Sequence, residues 1–178
     1  MNDESYSDDV IRTILSSVKK IAMVGASANP ARPSYFVLKY LTARGYDVTP
    51  INPGLVGGAI LGLPVAGDLA SAPGSIDMVD VFRNSEAAGS IVADALALEP
   101  KPKVIWMQLG VFNAEAAQKA RAAGLTVIMN RCPKIEYARL SGEIGWSGVN
   151  SRILSAKRPI IGASVQRLDL SPAAKPEV

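Results

Sequence analysis

The sequence predicts an α/β protein: a doubly wound parallel sheet of about five strands with flanking helices. Three observations carry the prediction. Short apolar runs recur at residues 21–24, 46–51, 76–82, 104–107 and 125–129. Most are separated by segments with helical apolar spacing, opened by a capping residue and closed by Gly or Pro. The first run feeds a glycine turn at Gly25 and then a helix start, the order a βαβ unit requires.

Each element has its own signals. Residues 7–19 read as a helix capped by Ser7, with Asp8 and Asp9 at the positive end of its dipole. Val10, Ile11, Ile14, Leu15 and Val18 share one face. Residues 21–24 form the first strand, and a loop runs from Gly25 to Pro33. Ser34 is placed as the cap of a helix to about Arg44, and Gly45 suits its left-handed exit. Residues 46–51 are the second strand, closed by Asn52-Pro53-Gly54, and the crossover is right-handed. The glycine-rich residues 54–72 suit an extended piece near 60–65 and a turn of helix near Leu69.

The third strand is interrupted by Asp77 and Asp80, which read as strand-edge or capping groups. Asn84 or Ser85 caps the next helix, whose inner face is Ala88, Ile91, Val92, Ala95 and Leu96; Pro100 and Pro102 end it. Trp106, in the fourth strand, belongs to the core. Asn113 caps an alanine-rich helix that Gly124 stops. Pro133 takes the first position of a short helix to Leu140.

Composition removes several functions. The chain has 178 residues, 48% hydrophobic and 20% charged, a balance that suits one globular core. No apolar run approaches the roughly 18 residues of a membrane span. The acidic start Met1-Asn2-Asp3-Glu4 is unlike a secretory signal, and the single cysteine, Cys132, fits a reducing compartment, so a cytoplasmic location is expected. With no histidine, Ser-His-Asp and Cys-His catalysis fall, and a metal site loses its commonest ligand. Of the net charge of +3, +2 lies from Ser141 onward and the first 140 residues are nearly neutral, so the main domain gives no argument for nucleic acid.

Two regions follow: a domain over residues 1–140 and an extension over 141–178. In the extension Trp146 lies among glycines and reads as packing. Residues 171–178 read as disordered. Pro159-Ile160-Ile161 reads as an extra strand or as an arm onto a second copy; the arm is preferred, which makes a homodimer the expected assembly.

A strand, a glycine turn and a helix start form a cradle for an anion, because amide N–H groups and the helix dipole both favour negative charge. In open parallel sheets the ligand lies beyond the carboxyl ends of the strands. Those ends carry Arg32, Arg83 and Arg131, and three cations on one rim suit a ligand with several phosphates. A dinucleotide fingerprint is incomplete: Ser27 and Pro30 stand where the second and third glycines belong, and the second strand ends in Asn52-Pro53 without a carboxylate. No Gly-Lys-Ser/Thr follows a strand, so the phosphate loop of ATPases is absent.

The motifs Val24-Gly25-Ala26-Ser27, Asn29-Pro30, Arg32-Pro33-Ser34, Gly45-Tyr46, Ile51-Asn52-Pro53, Val79-Asp80-Val81-Phe82-Arg83, Trp106-Met107-Gln108-Leu109-Gly110 and Asn130-Arg131-Cys132-Pro133-Lys134-Ile135-Glu136 resemble the small stand-alone coenzyme A-binding domain proteins. The resemblance spans about residues 18–140. That family shares its Rossmann-like fold with the coenzyme A-binding domain of succinyl-CoA synthetase α subunits and of NDP-forming acyl-CoA synthetases. The resemblance implies that Gly25, Ala26 and Ser27 approach the pyrophosphate, with Arg32 and Ser34 adding charge and a hydroxyl. Asn52, Pro53 and Leu55 would touch the adenosine or its 3′-phosphate. Phe82 and Arg83 would flank the adenine or the phosphates, and Gln108, Gly110 and Val111 would line the pantetheine path.

Cys132 has two readings. It is a small, partly buried hydrophobe, or it is a thiol made acidic by Arg131 and a helix N-terminus. The second reading leads to a mixed disulfide with coenzyme A. The larger synthetases use a phosphohistidine and further domains, which this chain lacks. The expected function is therefore binding of coenzyme A, an acyl-CoA or a coenzyme A disulfide, with no catalysis of its own. Two rivals stand beside it: a small NAD(P)-dependent oxidoreductase, with Arg32 on a 2′-phosphate, and a regulatory subunit that presents acyl-CoA to a partner enzyme.

Overall fold

A computed structural model of the chain describes residues 5–142. The readings for Trp146, for the Ile160-Ile161 arm and for the last residues lie outside the described residues.

The first helix, α1 (Asp8–Ser17), is capped by Ser7 through a bond from the Val10 amide. It leads into β1 (Lys20–Val24), then α2 (Pro33–Ala43) and β2 (Asp47–Ile51). A 3-10 turn (Pro53–Leu55) follows, and then a two-stranded hairpin of β3 (Ala59–Ile60) and β4 (Leu63–Pro64). The remaining elements alternate: β5 (Met78–Val81), α3 (Ser85–Leu96), β6 (Val104–Met107), α4 (Ala114–Ala122), β7 (Thr126–Ile128) and α5 (Pro133–Leu140). The main sheet is parallel throughout, in the order β2-β1-β5-β6-β7.

Side-chain alternation along each strand explains the two layers. Ile21, Met23, Met78, Val104 and Trp106 face α1, α2 and α5. Ala22, Val79, Val81, Ile105 and Met107 face α3 and α4, where Ala88, Ala95, Ala116, Ala117 and Ala120 let the helices sit close. Pro50 lies in β2, at the sheet edge, where its missing N–H disrupts least. Ala66 then bridges to Ile51 and covers that edge.

Most expected elements are present, and three details differ. Arg32, not Ser34, holds the cap position of α2; Pro33 is the first helical residue, and Ser34 is buried in the first turn. Leu69 is buried as an anchor but lies in a turn, because Gly67 and the Asp68–Ser71 bonds close the chain before a helix can start. Asp77 is the capping group expected: its Oδ2 accepts from the Lys19 and Lys20 amides at 3.0 Å each, and Lys103 lies at 3.0 Å. Asp80 is not an edge group. It sits in β5 at the centre of the sheet and is 0% exposed.

Candidate functional site

The chain leaves β1 toward β2 on one side and returns to β5 on the other, so the sheet's switch point lies between β1 and β5. Gly25 ends β1 there, with φ +90°. A Cβ at this position would sit 2.5 Å from the Phe82 carbonyl oxygen and 3.0 Å from Arg83 Cδ. Glycine is thus required twice, by conformation and by the closeness of the neighbouring strand end. The Gly25 and Ala26 amides both donate to the Ile51 carbonyl, at 3.0 and 3.3 Å. What these two residues offer a ligand is close approach rather than amide hydrogen bonds.

The loop is held rigid from within. Ser27 Oγ accepts from the Asn29 amide, and Asn29 Oδ1 accepts from the Ala31 amide at 2.9 Å. Asn52 clasps the end of β2 to this loop: its Nδ2 donates to the Ala26 carbonyl at 2.8 Å, and its Oδ1 accepts from the Gly54 amide at 2.9 Å. α2 then begins without a side-chain cap, unlike α1, α3 and α4, which use Ser7, Asn84 and Asn113.

A cleft of about 910 Å³ opens over these strand ends. Of the residues expected at the site, Gly25, Ala26, Ser27, Arg32, Ser34, Asn52, Phe82, Arg83, Gln108, Val111 and Cys132 line it. A second cavity, about 240 Å³, lies on the α3 side and shares Gly25, Asn52 and Arg83 with the first. Pro53 lines it, together with Asp68, Leu69, Ser90, Ile91 and Asp94.

Leu55, Gly110 and Arg131 line neither cavity. Leu55 packs on the core. Gly110 donates its amide to Asn130 Oδ1 at 2.8 Å, which fixes Leu109 and Val111 on either side. Arg131 turns to Glu136 at 3.9 Å and stacks 5.8 Å from the Tyr6 ring. Two arginines, not three, therefore face the cleft. Neither Arg32 nor Arg83 has an ion-pair partner among the described residues.

Sequence reasoning missed Asn84, Phe36, Leu109, Lys134 and Ile135, which also line the cleft. Phe36 was legible, one helical turn beyond Arg32. The α5 pair depended on where that helix docks.

Beneath the cleft, Gln108 Nε2 donates to Asp80 Oδ1 at 2.7 Å, and Asp80 Oδ2 has no partner among the described residues. Burial pushes the Asp80 carboxyl up to about 7, against the smaller opposing effect of the Gln108 bond.

Cys132, 7% exposed, caps α5. Its thiol is pushed up, chiefly by burial; the Lys134 and Ile135 amides pull it down but do not compensate, and the Asp80 charge adds to the rise. This corrects the acidic-thiol reading. A helix start lowers a thiol only when desolvation does not outweigh it. Iodoacetamide at pH 7 is expected to alkylate Cys132 at least about tenfold more slowly than a free peptide thiol; a rate equal to the peptide's, by intact mass, would refute the buried thiol.

Among the described residues no cluster of acidic, cysteine or histidine side chains could hold a metal ion, and no helix is long and apolar enough to cross a membrane.

The parallel sheet, its glycine turn at the switch point and the two arginines that line the opening above it define a Rossmann-like cleft with a cationic rim. The CoA binding domain model matches residues 19–138, and the chain belongs to that family. It is 38% identical over 128 residues to the uncharacterized protein YneT of Bacillus subtilis (strain 168), covering 72% of this chain and 92% of that one. A hypothetical protein from Pyrococcus horikoshii OT3 superposes with a TM-score of 0.72 at 38% identity, covering 79% of this chain and 99% of that one. ID.343 from Thermus thermophilus gives 0.71 at 34%, covering 76% and 99%.

Proposed function

We propose that the protein binds coenzyme A across the switch point, with the phosphates over Gly25 between Arg32 and Arg83. The observation that carries this reading is the pair of arginines, without an ion-pair partner among the described residues, above a turn where no side chain fits. An anion there meets two guanidinium groups and the open start of α2. The adenosine belongs in the smaller cavity, between Leu69 and Ile91, where Pro53 forms one wall and Ser90 and Asp94 supply polar contacts. The pantetheine arm follows the larger cleft past Gln108 and Val111 to Cys132. Asn52 acts mainly by clasping the two loops, since both ends of its amide are already engaged.

The activity proposed is binding, with no catalysis of its own. Thermal unfolding with coenzyme A, dephospho-coenzyme A, NAD, NADP and ATP tests it. At 100 times its dissociation constant a ligand adds about 2.7 kcal/mol to the native state, a rise of about 5 to 10 °C for a domain of this size. Coenzyme A is expected to give that rise, and the two nicotinamide nucleotides little. Stabilisation by NADP without coenzyme A would move the assignment to an oxidoreductase.

A further inference from the structure

The cleft has two chemically different halves, and the topology says which is which. Arg32 and Arg83 stand over β1 and β5. Leu109 follows β6, and Ile135 follows β7 in the first turn of α5. Phe36 lies one turn beyond Arg32 on α2. That helix packs beside α5, with Tyr40 and Tyr137 edge to face at 5.9 Å and Lys134 Nζ 5.8 Å from the Tyr40 ring. Phe36, Leu109 and Ile135 are 52%, 58% and 44% exposed, and all three line the cleft.

Scattered exposed apolar residues need no explanation, but three from separate elements converging on one cleft do. The free pantetheine arm ends in two amides and a small thiol, which leave such a surface uncovered. The volume, about 910 Å³, lies near the upper end of the roughly 300–1,000 Å³ usual for small-molecule sites. Moreover, the cleft runs from Arg32 and Arg83 over β1 and β5 to Leu109 and Ile135 beyond β6 and β7, with Lys134 beside Ile135, a succession that suits an acyl thioester: phosphates, pantetheine, acyl group.

We infer that the apolar half of the cleft, between Phe36, Leu109 and Ile135, holds an acyl chain, and that the ligand is an acyl thioester of coenzyme A rather than the free thiol. This rests on the coenzyme A reading. Calorimetry with coenzyme A, acetyl-CoA and hexanoyl-CoA tests it. A fully buried methylene tightens binding about fourfold. Four added methylenes, partly covered, are expected to tighten hexanoyl-CoA about tenfold or more over acetyl-CoA. The double variant Leu109→Ser, Ile135→Ser, at exposed positions, is expected to bring that ratio close to one. Coenzyme A and hexanoyl-CoA binding equally well to the wild type would overturn the acyl site and leave the coenzyme A reading standing. So would a wild-type ratio near one together with a variant that sediments as a smaller species, since the patch would then belong to a second copy. Binding of neither ligand would overturn both readings.

Discussion

Replacing Gly25 by alanine is expected to destabilise the protein by about 3 kcal/mol or more and to abolish coenzyme A binding. The left-handed backbone at φ +90° alone costs about 1–2 kcal/mol for a residue with a Cβ. The new methyl would also stand 2.5 Å from the Phe82 carbonyl oxygen, a backbone atom that moves only if the end of β5 moves. Parting β1 from β5 would break the bond from the Phe82 amide to the Val24 carbonyl, now 2.8 Å, and displace Arg83. Urea unfolding followed by circular dichroism measures the loss, and calorimetry the affinity. A change under about 1 kcal/mol would show that the strand ends are looser than the geometry states. Gly45 offers the comparison: its φ is +86°, but nothing lies within 4 Å of an added Cβ. Gly45→Ala should therefore cost the conformational part alone.

The second large effect concerns Asp80 and pH. Its carboxyl holds a proton to about pH 7 in the folded state, against a usual value of 3.8. Between those values the native protein carries a proton that the unfolded chain has released. Stability then falls as pH rises through the window and levels off above it. From pH 5 to pH 8 the loss attributable to Asp80 is about 3 kcal/mol. The window is unusually clean, because the chain has no histidine. Asp8, Asp68, Asp77 and Glu115 are shifted down and titrate below it, and Cys132 is shifted up and titrates above it.

Asp80→Asn keeps an acceptor for Gln108 and removes the titration. Its urea stability is expected to be nearly level from pH 5 to pH 8 while the wild type declines. Parallel slopes in the two proteins would refute the assignment. Keeping a carboxyl in the middle of the sheet, with one oxygen unpartnered among the described residues, is costly for the fold. Through Gln108, that carboxyl sets the orientation of an amide at the floor of the cleft.

Local chemistry was legible wherever one residue decides one conformation. Ser7, Asn84 and Asn113 cap their helices as their side chains require. Pro133 opens α5, and Gly45 ends the turn after α2. The strand cores were legible because runs buried on both faces cannot alternate with polar residues. The cap of α2 was misplaced because Ser34 is an excellent capping residue in isolation. Pro33, with its fixed φ and no N–H, takes the first helical position and moves the start forward.

The sequence by itself determined that this chain forms a parallel α/β sheet, and that its first strand runs into a glycine turn and a helix start. It also determined which family's motifs the strand ends carry. These follow from residue types, spacings and backbone freedom, all readable in one dimension. Only the tertiary structure decided which side chains meet. It turned Arg131 away to Glu136 and Tyr6, and it set Arg32 and Arg83 on the cleft without an ion-pair partner among the described residues. It buried Cys132 deeply enough to raise its thiol and set Asp80 at the centre of the sheet. It also brought Phe36, Leu109 and Ile135 to one cleft. Burial and charge proximity depend on strand order and helix docking, which bring residues a hundred positions apart to the wall of one cleft.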